Sequence, residues 1–128
     1  MNEAAERWLV FAREDVQAAE VLLKAEIFNL VCFHAQQSIE KVLKAMLAHR
    51  GQLPPKIHTI ADLLSLLPDE PLADVTTSLT ILDDYYIPTR YPDALPGTLP
   101  EGLPGKAEAE EALSLAQTVL QRAADVLE

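Results

Sequence analysis

Apolar side chains recur three and four residues apart through residues 3–25, 29–49 and 106–127 of this 128-residue chain. That period lines one face of a helix and excludes a fold built of strands. In 3–25 the stripe reads Trp8, Phe11 or Ala12, Val16 or Ala19, Leu22 and Leu23; in 106–127 it reads Ala109, Leu113, Ala116, Leu120 and Ala124. Between the first two helices, "EIFN" at 26–29 makes a tight corner, with Asn29 expected near the cap of the second helix. That helix runs to about His49. Arg50 and Gly51 end it, because glycine takes the left-handed cap position at no steric cost.

The rest of the chain is punctuated by proline. "QLPPK" cannot continue a helix. Thr59, with Asp62 three residues on, opens a short third helix that Pro68 closes. Pro71 fits a first helical turn, and Leu72, Val75, Leu79 and Leu82 follow at helical spacing. Residues 87–105 hold five of the nine prolines and three of the four glycines, so no regular element fits there. A loop that long inside a compact domain marks a functional or mobile segment. The expectation is an all-α, single-domain chain over residues 1–128: an antiparallel up-and-down bundle of four longer helices and one short one, with a long Pro-rich loop before the last helix.

At 49% hydrophobic the chain can bury one core, and at 5% aromatic that core is mostly Leu, Ala, Val and Ile. The single Cys32 allows no internal disulfide and reads as core packing. The first turns are charged, unlike a signal peptide, and no apolar run approaches the ~18 residues of a membrane span. The expectation is a soluble, cytoplasmic protein with no membrane partner. A net charge of −10 disfavours generic binding to phosphate backbones. The charge is uneven, however. Residues 27–68 hold Lys41, Lys44, Arg50 and Lys56 against Glu40 and Asp62, and also hold all three histidines.

On the second helix, His34, Gln37, Lys41 and Lys44 share one face, with Gln36 and Glu40 beside them and Val31, Ile39, Val42, Leu43, Met46 and Leu47 on the other sides. A solvated face would explain this, and so would an anion site. Glu40 and Lys44 are also a favourable i,i+4 pair. His58 opens the third helix, and Arg90 and Tyr91 stand in the Pro-rich loop. Cations in fixed positions and an arginine fork suit phosphate. No metal or cofactor is expected. No glutamate precedes a histidine by three residues as in di-iron bundles, one cysteine cannot ligate zinc, and no P-loop occurs.

"CFHAQQSIEKVLKAML", "PPKIHTIADLL" and "YYIPTRYPD" occur in the order found in many HEPN domains, and the chain resembles that family. The resemblance implies a four- or five-helix bundle, a homodimer, and a separate minimal nucleotidyltransferase as partner in a toxin–antitoxin-like system. Many HEPN domains are metal-independent ribonucleases marked by Arg, four to six residues, then His. This chain departs from that mark, since no histidine follows Arg90. The resemblance therefore leans toward the non-nuclease branch, similar to the nucleotide-binding C-terminal domain of kanamycin nucleotidyltransferase. The reading is a nucleotide- or anion-binding interaction module using His34, Gln37, Lys41, Lys44, His58, Arg90 and Tyr91. The alternatives are a ribonuclease toxin, with His34 or His58 working beside Arg90, and a purely structural dimer scaffold whose acidic surface steers a basic partner.

Overall fold

A computed structural model of the protein describes residues 2–68, 72–85 and 103–127. Arg90, Tyr91 and residues 87–102 of the expected loop lie outside the described residues; Leu103–Gly105 lead into the last helix without regular structure. Among the described residues the chain is all-helical: α1 (Glu3–Lys24), α2 (Phe28–His49), α3 (Ile60–Leu64), α4 (Thr76–Ile81) with a 3-10 turn at Leu82–Tyr85, and α5 (Lys106–Leu127). None of these helices is long and apolar enough to cross a membrane.

Asn2 fixes the start of α1. Its side-chain oxygen accepts from the Ala5 N–H at 2.8 Å, and its amide donates to the Ala48 carbonyl at 2.6 Å, tying the start of α1 to the end of α2. Glu3 and Glu6 sit in the first turn, where the helix dipole favours acids. The corner to α2 is made without glycine. Glu26 takes φ +61°, and the Ile27 N–H returns to the Leu22 carbonyl at 3.0 Å, closing α1 with a left-handed residue. This sets the α2 cap earlier than expected. Ile27 is the N-cap, and Asn29 falls inside the first turn. At the other end Gly51 has φ +78°, and the Gln52 N–H bonds the Leu47 carbonyl at 3.0 Å, as the glycine led us to expect.

The helix expected after Pro71 is shorter than its apolar spacing allows. Leu72, Leu79 and Leu82 are buried, but α4 spans six residues and tightens into the 3-10 turn. The β-branched Val75, Thr76 and Thr77 lose rotamer freedom in a helix, and the Thr76 hydroxyl bonds the Leu72 carbonyl. The long helices are therefore α1, α2 and α5, at 22 residues each.

α2 is the central element. It packs on α1, α5, α3 and the 3-10 turn. Val31, Ile39, Val42, Leu43 and Leu47 fill the middle of the core. Alanines dominate the faces turned toward them: Ala5, Ala12 and Ala19 on α1, and Ala109, Ala112, Ala116 and Ala123 on α5. Small residues there let the helices approach closely, and each buried Leu or Ile of α2 contributes about 1.5–3 kcal/mol. The α1 stripe resolves to Leu9, Ala12, Val16 and Ala19; Trp8 sits at its edge and Phe11 faces outward. On α5, Val119 and Ala123 take core places that the spacing had given to Leu120 and Ala124.

Candidate binding site along α2

The face of α2 expected to carry exposed cations divides between its neighbours. On the α1 side, Asp15 is buried in the seam between the helices. Its carboxylate accepts from Lys41 Nζ at 2.5 Å and lies 2.9 Å from His34 Nδ1, so two candidate residues converge on one acid. His34 and Lys41 remain about a third exposed. The Phe33 ring stands edge-on to His34 at 5.5 Å.

On the α3 side the organising group is Glu40, which is 4% exposed. Its Oε1 accepts from Lys44 Nζ at 2.8 Å and lies 2.9 Å from His58 Nδ1; its Oε2 accepts from Gln37 Nε2 at 3.3 Å. A carboxylate only accepts, so the imidazole places its Nδ1 proton toward Glu40. Lys44 is not a surface cation. It is 5% exposed, and its ammonium lies 5.3 Å from the centre of the Trp8 ring. Its charge is balanced inside the fold, by Glu40 and by the ring face. His58, by contrast, has a half-exposed side chain, so it reaches solvent while its anchor does not.

A second layer holds the start of α3. Gln36 is fully buried; its Nε2 donates to the His58 carbonyl at 3.0 Å and toward Asp83 at 3.4 Å, while its oxygen accepts from Gln37 at 2.7 Å. Asp83, from the 3-10 turn, accepts the Ile60 and Ala61 N–H groups at 2.7 and 3.0 Å. Thr59 caps the same turn, accepting from the Asp62 N–H. Five residues are too few to hold a helix alone, so α3 depends on these caps, and they fix the backbone of His58.

The structure thus brings His34 and Lys41 together at Asp15, and Gln37, Lys44 and His58 together at Glu40. Arg90 and Tyr91 lie outside the described residues. Sequence reasoning missed Asp15, Asp83 and Trp8. Asp15 had a visible signal: it is an acid within the apolar stripe, beside Val16 and three residues from Ala12. The basic excess counted along residues 27–68 is not an excess in space, because Asp15 and Asp83 arrive from other elements. The hollows between α3 and α4, and between the 3-10 turn and α5, are lined by other residues. Among the described residues no group of three or more His, Cys, Asp or Glu is placed to hold a metal. Away from the site, Cys32 is fully buried, and burial pushes its thiol up to about 11 against the opposing hydrogen bond from Tyr85. Burial pushes the Tyr85 hydroxyl upward as well.

Compared with known proteins, residues 5–126 match the model of the HEPN domain. The chain belongs to the HEPN family. A protein of Methanocaldococcus jannaschii named "Putative toxin MJ1304" is 30% identical over 127 residues, covering 91% of this HEPN chain and 83% of that protein. The crystal structure of TT1696 from Thermus thermophilus superposes with a TM-score of 0.78 at 38% identity, covering 97% of this chain and 98% of that one. That of ST0689, described as an archaeal HEPN homologue, also gives 0.78, at 28% identity, covering 99% and 100%. The bundle described above is therefore the HEPN fold.

Proposed function

We propose that this HEPN domain is a nucleotide- or phosphate-binding interaction module. In this reading it acts as a homodimer with a separate minimal nucleotidyltransferase, in a toxin–antitoxin-like pair. The observation that carries the reading is the fixed placement of half-exposed His58 by buried Glu40. Lys41 and His34 are held in the same way by Asp15 on the neighbouring seam of α2. A phosphate binds best to donors that need no reordering, and side chains anchored from below by carboxylates meet that need. Lys44 takes part through Glu40. Arg90 and Tyr91 complete the proposed set. The relative named as a toxin supports a role in such a pair. Calorimetry with ATP, GTP, CTP and UTP tests the ligand. Saturable binding of at least one, weakened by His58→Ala and Lys41→Ala, is expected. Absence of binding to all four, by the protein alone and with its partner, overturns the ligand assignment.

One observation favours a second reading, a ribonuclease toxin. A carboxylate bound to one ring nitrogen of a histidine sets its tautomer and orients it for proton transfer, and Glu40 stands in that relation to His58. Incubation with transfer RNA at neutral pH separates the two. Cleavage abolished by His58→Ala and reduced by Glu40→Gln establishes the nuclease; intact RNA excludes it.

A further inference from the structure

Ala4, Arg7, Phe11, Glu14 and Ala18 recur at steps of three, four, three and four along α1, and so form one ridge. This ridge flanks the core stripe without joining it. Phe11 is 48% exposed, and Ala4 and Ala18 are half-buried. Arg7 and Glu14 are exposed and make no hydrogen bond or ion pair with the described residues. On α2, Leu30 and Phe33 are likewise half-exposed and outside the core.

The order of the ridge reads the same in both directions once charge is reversed. Arg7 and Glu14 lie at equal distances from a point between Val10 and Phe11, with small Ala4 and Ala18 one turn farther out on either side. We infer that α1 is the interface between two copies of this chain, packed antiparallel about a twofold axis near Phe11. In that packing Phe11 meets Phe11, Arg7 of each copy faces Glu14 of the other, and Ala4 faces Ala18, where the helices can close up. A twofold interface must be complementary to itself, and this ridge satisfies the condition in shape and in charge. The pairing also answers the repulsion between two molecules of net charge −10, because two arginine–glutamate contacts lie where the copies touch. The helix is about 33 Å long, and the ridge runs along most of it with Phe11 near the middle.

The inference names the face of the homodimer in the reading above and rests on that reading only for there being a dimer. Sedimentation equilibrium at about 150 mM salt tests it on the wild type, Arg7→Glu, Glu14→Arg, the double exchange, Phe11→Asp and the control Leu53→Asp, with circular dichroism to verify folding. The wild type and control should be dimers and Phe11→Asp a monomer. Each single charge reversal should weaken association at least about tenfold, since each opposes like charges twice per dimer. The double exchange should return to within about threefold of the wild type, as restored pairing requires. A dimer unmoved by all these substitutions overturns the α1 interface and leaves the homodimer standing on another face. A monomeric wild type overturns both.

Discussion

Replacing Lys44 by alanine removes the ammonium that neutralises Glu40 while leaving that carboxylate 4% exposed. An exposed i,i+4 pair would lose about 0.5 kcal/mol or less. A buried pair broken on one side costs about 3–5 kcal/mol, because an uncompensated charge is left inside. His58 still bonds Glu40 and is half in solvent, so the lower end applies, near 3 kcal/mol. At about 2.1 cal/mol/K per residue, unfolding of this chain has an entropy near 0.27 kcal/mol/K, so Tm should fall by about 11 °C. Loss of the Trp8 contact adds to this. Guanidinium and thermal unfolding followed by circular dichroism measure both quantities. The double change Lys44→Met with Glu40→Gln, which leaves no buried charge, should recover more than half the loss. A cost for Lys44→Ala below about 1 kcal/mol would instead mean that the Lys44–Glu40 pair is hydrated, since only a hydrated pair is lost so cheaply.

Asp83→Ala removes an acceptor from two α3 N–H groups and a contact of buried Gln36; a loss of about 1–2 kcal/mol is expected, with faster amide exchange at Ile60 and Ala61 by NMR. Gly51→Ala must place a side chain at φ +78° and should cost about 1 kcal/mol in denaturant melts, although a Cβ there meets no neighbour. Cys32 should resist alkylation by iodoacetamide at pH 8 until the protein is unfolded in denaturant. The fold favours its neutral thiol, so the associated stability is complete below pH about 9, the unfolded value, and is lost as pH rises toward about 11. Wild-type denaturation midpoints that stay flat across that range, or a Cys32→Ala variant that loses as much stability across it as the wild type does, would contradict the assignment.

The bundle was legible because its signals are local. Helical spacing located α1, α2 and α5, while Gly51 marked the end of α2 and Thr59 the start of α3 through backbone chemistry that depends on one or two residues. The corner at Glu26 was not legible as a left-handed residue, since nothing in "EIFN" distinguishes which residue bears the strain. The polar face of α2 was visible as a set, but its partners were not. Asp15 reaches His34 and Lys41 from 19 and 26 residues away, and Asp83 reaches the start of α3 from 23 and 22. Charge counted along a segment cannot include acids that the fold brings from elsewhere. Nor could spacing reveal that Lys44 is covered by Trp8, a contact that depends on how α1 and α2 are set against each other.

In the proposed site, Glu40 holds His58 in place to meet the ligand. The most direct measurement is an NMR titration of the His58 ring resonances with nucleoside triphosphates, in the wild type and in Glu40→Gln. Saturable shifts of the His58 ring are expected in the wild type, with markedly weaker binding in the variant. A nucleotide that binds while the His58 resonances stay still, or binds equally well without the Glu40 carboxylate, would contradict it.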